Sequence, residues 1–174
     1  MLLCLWSPKG GSGASVFAAA CALTLARDGG ARLADIGGDQ PAILGLGADP
    51  GTGLREWLKV GVEAPSDALD RLALDAGRGL TLLPAGQAAL GDVVPEAGAA
   101  LGMALRSSGV PTIVDVGGER VPALDALLEV ADMSVLVVRG CYLALRRAVR
   151  EPATARTAGV VLVEEAGRAL GARE

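Results

Sequence analysis

Residues 2–16 read LLCLWSPKGGSGASV: an apolar run, then a turn rich in glycine and serine, then the start of the alanine-rich stretch AAACALTLA at residues 18–26. A short apolar run closed by such a turn reads as a buried strand, and the segment after it as a helix. Gly10, Gly11 and Gly13 free the backbone to point N–H groups inward, and a helix starting near Ala14 adds the positive end of its dipole. The junction is built to hold an anion, at the carboxyl end of a strand, where open α/β sheets place their ligands. Ser15 stands where a hydroxyl can reach magnesium.

Outward from this loop, short apolar runs alternate with helix-like segments. Strands are expected near 2–6, 31–36, 80–84, 111–115, 133–138 and 159–163, and helices near 14–27, 53–60, 95–107, 121–131 and 142–150. In the fourth helix Leu124, Leu127, Leu128 and Ala131 share one face and Asp125 and Glu129 another. VPTIVDVGG and MSVLVVRG are continuous apolar runs ending in glycine, as buried parallel strands are. The alternation predicts an α/β fold, a mainly parallel sheet with helices on both faces, formed by residues 1–174 as one domain. Residues 61–79 leave two readings open: a helix from Pro65-Ser66 through Leu69 and Leu72, or a short strand at Leu72 and Leu74 before the turn Gly77-Arg78-Gly79.

Composition narrows the chemistry. Half the residues are hydrophobic, but the only aromatics are Trp6, Phe17, Trp57 and Tyr142, so Leu, Val and Ala must build the core. The chain has no histidine, which removes the commonest general base and metal ligand. A net charge of −4 gives no global signal for nucleic acid. Cys4, Cys21 and Cys141 lie far apart in apolar segments, the pattern of reduced, buried thiols in a cytoplasmic protein. No run approaches the roughly 18 apolar residues of a membrane span, and the opening MLLCLW lacks the basic start of a signal peptide.

The general phosphate-loop pattern G-x-x-x-x-G-K-[ST] fails at two positions: its first glycine falls on Pro8 and its lysine on Ala14. The loop instead resembles the deviant P-loop K-G-G-x-G-K-[ST] of the ParA/MinD family of bacterial positioning ATPases. Lys9, Gly10, Gly11, Gly13 and Ser15 fit that pattern, Ser12 fills its variable place, and Ala14 departs from it. The resemblance implies that residues 9–15 hold ATP or ADP with Mg2+, and that Lys9 crosses to the partner's phosphates in a nucleotide-sandwich homodimer. After the second strand the family carries D-x-D. Here Asp35 matches, Gly37 replaces the second acid, and Asp39 lies two residues further on. TIVDVGG is similar to the family's magnesium-contacting strand, which implies Asp115 as a metal contact with Ser15 and Asp35, and Gly117-Gly118 as a switch-like turn. GLTLLPAG and ADMSVLVVRGCYLALRRA are also similar to family segments. Family chains usually continue past GVVLVEEAGRALGARE, so a C-terminally shortened form is expected.

Ala14 removes the charge that meets the β- and γ-phosphates, and Gly37 removes a water-positioning carboxylate. The expected role is a non-catalytic or weakly nucleotide-binding localisation or regulatory factor in cell division or pilus assembly, similar to the TadZ/CpaE or septum-site-determining branch. Such a protein is cytoplasmic, recruited to pole, septum or nucleoid, and contacts a protein of the division or pilus machine. The alternative is an ATP-dependent dimerisation switch in chromosome or plasmid partition that binds DNA. Each candidate also has a bland reading: Lys9 as an exposed loop lysine, Ser15 as a helix cap, Asp35 and Asp115 as strand terminators.

The only regional excess of positive charge is Arg139, Arg146, Arg147, Arg150 and Arg156. It reads as a solvated helix face or, functionally, as a patch for DNA phosphates or an acidic partner, with Arg146, Arg147 and Arg150 as the candidates. Tyr142, Leu145 and Val149 are expected to form that helix's apolar face, and Trp57 to pack in the core with Leu54 and Leu58. GRALGARE is too short for a basic amphipathic membrane tail.

Overall fold

The computed structural model describes residues 1–47, 50–65 and 67–164. In chain order the elements are β1 (Leu2–Trp6), α1 (Ala14–Ala26), β2 (Ala31–Asp35), α2 (Gln40–Ile43), α3 (Leu54–Val60), a 3-10 turn (Gly61–Glu63), α4 (Ala68–Leu72), β3 (Leu74–Asp75), β4 (Leu80–Leu83), α5 (Pro95–Ser107), β5 (Thr112–Gly117), α6 (Pro122–Val130), β6 (Met133–Arg139), α7 (Tyr142–Arg150), a second 3-10 turn (Pro152–Arg156) and β7 (Gly159–Val163). The seven strands run in the order β3-β4-β2-β5-β1-β6-β7. All neighbours are parallel except β3 with β4. No described helix is long and apolar enough to cross a membrane.

The central strands are buried on both faces, so they read as unbroken apolar runs rather than alternating ones. On one face Leu5, Leu33, Leu82, Ile113 and Val137 meet α1. That helix turns a ladder of Ala14, Ala18, Ala22 and Ala26 to the sheet, so it sits close against it. On the other face Cys4, Trp6, Ala34, Val114 and Leu136 pack beneath α3, α5, α6 and α7. Trp57 is core, with Leu54 and Leu58, as its spacing predicts. Leu124, Leu127 and Leu128 are buried on α6, with Asp125 and Glu129 exposed.

Three findings refine the sequence reading. Residues 61–79 contain both alternatives in succession, α4 and then β3; Ser66, half of the expected helix start, lies outside the described residues. The four-residue α2 carries no periodicity and is not foreshadowed. On α7 the expectation is overturned: Tyr142, Leu145 and Val149 are exposed, and the buried positions are Ala144 and Ala148. As on α1, close packing favours the smallest side chains, which a ranking by hydrophobic size does not anticipate. Cys4 is buried and Cys21 and Cys141 are half-buried, and the GRALGARE tail lies outside the described residues.

Candidate functional site

The turn between β1 and α1 wraps the floor of a cleft of about 390 Å3. Gly11 and Gly13 take positive φ (77° and 87°), which L side chains rarely adopt, and Gly13 is the residue from which α1 starts. The loop is held by its own hydroxyls: Ser7 Oγ and Ser12 Oγ both donate to the Lys9 carbonyl, at 2.8 and 2.9 Å. Both serines are buried, so Ser12 shapes the loop as well as lining the cleft. Lys9, Gly10, Gly11, Gly13, Ala14 and Ser15 line it too, joined by Asp39, Ala42 and Ile43 from α2 and the turn before it.

Behind this floor stand two fully buried carboxylates, Asp35 and Asp115, paired in register at the ends of β2 and β5. Asp35 accepts from the backbone N–H of Gly38 (2.7 Å) and of Gln40 (3.0 Å). Asp115 accepts from the N–H of Gly117 at 3.1 Å, from Gln40 Nε2 at 2.7 Å, and from the Ser15 hydroxyl. Ser15 therefore does not cap α1; its side chain ties the helix's first turn to β5. Burial is the largest influence on both acids and pushes both pKa values up, Asp35 to about 6. The N–H and O–H donors pull the other way, while the Asp39 charge adds to the rise in each.

Sequence reasoning missed two residues here. Gln40 is fully buried, and its Nε2 also donates to the Ser15 carbonyl at 2.9 Å, so one carboxamide joins α1, α2 and β5. Its Oε1 has no hydrogen-bond partner among the described residues. Arg55 reaches from α3 to the Ile36 carbonyl through Nε (3.0 Å) and Nη2 (2.8 Å), clamping the chain as it leaves β2. The order D-Q after a glycine pair is the one trace of Gln40 in the sequence; Arg55 leaves none, because its partner is a backbone carbonyl.

Gly37 lies against the second acid: a Cβ there would sit 3.4 Å from Gly117 Cα and 3.5 Å from Asp115 Oδ2. A side chain at position 37 would thus stand beside Asp115, with ordinary room for it. Lys9 is half-buried and has no ion-pair partner among the described residues. Arg146, Arg147 and Arg150 are exposed on α7 and do not line the cleft, whereas Arg156 pairs with Glu129 on α6. No group of three or more His, Cys, Asp or Glu among the described residues is arranged to hold a metal by itself.

No family model matches the chain, and neither does any curated protein. Solved structures do. A ParA family ATPase from Chlorobium tepidum superposes with TM-score 0.72 at 22% identity, over 93% of this chain and 72% of that one. The MinC:MinD cell division complex of Aquifex aeolicus gives 0.70 at 20% identity, over 92% of this chain and 66% of that one. A plasmid partition protein from Borrelia burgdorferi bound to AMPPNP gives 0.70 at 18% identity, over 92% and 72%. The chain has the ParA/MinD P-loop fold.

The glycine turn of residues 9–13 leads from β1 into the head of α1. Gly10 and Gly11 leave their surroundings open, with nothing within 4 Å of a Cβ built at either, so a phosphate can approach the backbone there. The residues present thus fit a phosphate group. Their fit to a cation is narrower: the Ser15 hydroxyl is engaged by Asp115, and both Asp35 oxygens are engaged by backbone N–H groups.

Proposed function

We propose that the cleft is a weakened nucleotide-phosphate site, and that the chain is a non-catalytic or weakly nucleotide-binding localisation or regulatory factor in cell division or pilus assembly. The observation that carries this reading is Ala14. It lines the cleft and is buried in the alanine ladder under α1, so Lys9 is the one cationic side chain among the described cleft residues, set against Asp39 at the rim and two buried carboxylates behind. A polyphosphate entering that field meets backbone N–H groups and the α1 dipole but little positive charge. Magnesium bound with the nucleotide would neutralise part of the phosphate charge, and Ser15, Asp115 and Asp35 would serve it once released from their present partners.

Calorimetric titration with Mg2+ and ATP tests this. The expected result is binding no tighter than roughly the 0.1 mM range, with phosphate release at background level. Micromolar binding with steady turnover would refute it. Lys9 supports a second reading, the ATP-dependent dimerisation switch with DNA as partner: a half-buried lysine without an ion pair can reach a second copy's phosphate. Under that reading Lys9→Ala abolishes ATP-dependent dimerisation, seen as a loss of the nucleotide-induced mass shift.

A further inference from the structure

Away from the cleft, the helical layer formed by α3, α5, α6 and α7 carries two exposed patches of opposite charge. On the outward face of α7, Tyr142 is 71% and Val149 85% exposed, with Leu143 and Leu145 also open to solvent. Arg146, Arg147 and Arg150 are exposed among them, with no ion pair among the described residues. The second patch surrounds a groove of about 200 Å3 at the end of α3 and the start of α5. Val60, Val62 and Val94 are exposed there, beside Glu63, Asp92 and Glu96. Lys59 pairs with Asp92 at 3.5 Å, which leaves Glu63 and Glu96 as acids without a cationic partner among the described residues.

The patches sit on different helices of this layer. α7 packs on β6, next to the β7 edge. α3 docks on the chain leaving β4, next to the β3 edge, through Leu54 N–H to the Pro84 carbonyl at 2.8 Å. We propose that this chain self-associates head to tail, α7 of one copy seating on the valine-glutamate patch of the next. Each surface offers what the other lacks: arginines for unpaired glutamates, and Tyr142, Leu145 and Val149 for three exposed valines. A lipid or nucleic-acid surface would engage the arginines but leave the acidic valine patch unused. Because the two surfaces differ, every pair keeps one of each free, and assembly continues into a ring or an open filament. The proposal is independent of whether nucleotide binds.

Sedimentation velocity on the nucleotide-free chain tests it across concentration, at low and high salt. Average mass should rise with concentration and fall back in high salt, since exposed charge pairs are screened. Arg146→Glu with Arg150→Glu, or Glu63→Arg with Glu96→Arg, should each weaken association at least about tenfold. An equimolar mixture of the two variants should regain it, because both junctions in the mixture again face opposite charges. These side chains are exposed, so circular dichroism should show both variants folded. A wild-type chain that stays monomeric overturns the proposal. So does association that survives either variant, or a mixture that stays dissociated. Monomeric wild type that binds phosphatidylglycerol vesicles or duplex DNA through α7 also overturns it.

Discussion

Gln40 Nε2 lies 2.7 Å from Asp115 Oδ2, and both side chains are fully excluded from solvent. The same nitrogen reaches the Ser15 carbonyl and the same residue's backbone N–H reaches Asp35, so one glutamine holds the three ends from which the cleft is built. Gln40→Met keeps the shape and removes both donors, leaving a buried carboxylate oxygen and a carbonyl less satisfied. Urea unfolding should show a loss of about 2–4 kcal/mol. Gln40→Glu should be worse at pH 7 than at pH 5, because it sets a second carboxylate against Asp115 until one is protonated.

The raised pKa of Asp35 makes stability depend on pH in a stated direction. With a folded pKa of about 6 against an ordinary value of 3.8, the folded chain holds this proton where the unfolded chain has lost it. Stability therefore falls as pH rises from about 4 to about 6, by roughly 2–3 kcal/mol, and is flat above. Asp115 is shifted upward too and adds to the slope. Glu56 runs the opposite way. Burial pushes it up, but the N–H groups of Gln87, Gly53 and Ala88 outweigh burial and hold it low, so its contribution is lost only as pH falls through that lowered value. Unfolding free energies at pH 4.5, 6 and 7.5 should show the fall in the wild type and a flatter profile in Asp35→Asn.

Ala14→Lys places a positive charge at the head of α1. Affinity for ATP with Mg2+ should rise about ten- to a hundredfold by calorimetry, the scale of a charge-assisted contact. Phosphate release should stay near background until Gly37→Asp is added, since the single variant still lacks the acid beside Asp115. Brisk turnover by Ala14→Lys alone would move the water-positioning role to Asp39.

Two glycines should separate packing from binding. A Cβ at Gly53 would sit 2.2 Å from the Pro84 carbonyl oxygen, so Gly53→Ala must push α3 off the chain leaving β4. A cost of about 2–3 kcal/mol is expected, with loosening of the Arg55 clamp. Gly10→Ala meets nothing within 4 Å and should change stability by less than about 0.5 kcal/mol. Because Gly10 lines the cleft, phosphate affinity is the quantity that Gly10→Ala should lower.

Periodicity carried the architecture well. LLCLW, TIVDVG and MSVLVVR are strands because continuous apolar runs bounded by glycine suit a sheet covered on both faces. The glycine turn at 9–13 was legible because its positions need backbone freedom, and that demand is written in residue type. The supports of the site were less legible. Gln40 and Arg55 act on backbone atoms and on a carboxylate brought near by the sheet, and a lone glutamine or arginine has no spacing that announces a partner 75 or 19 residues away. The inner face of α7 was misread because alanine, the least conspicuous apolar residue, is what fits where helix and strand approach closely.

The ladder of Ala14, Ala18, Ala22 and Ala26 has a further consequence. Alanine has no rotatable side-chain torsion to freeze, so these four positions surrender no side-chain entropy when α1 seats on the sheet, and that cost falls on the half-buried Phe17, Cys21, Leu23 and Leu25. A leucine seam would fill more space but would immobilise a set of rotamers each time the helix docked. Here the fully buried face of the element that aims the glycine turn is set by backbone and shape. The glycine turn is therefore carried by a helix whose fully buried face has no alternative rotamers to choose among.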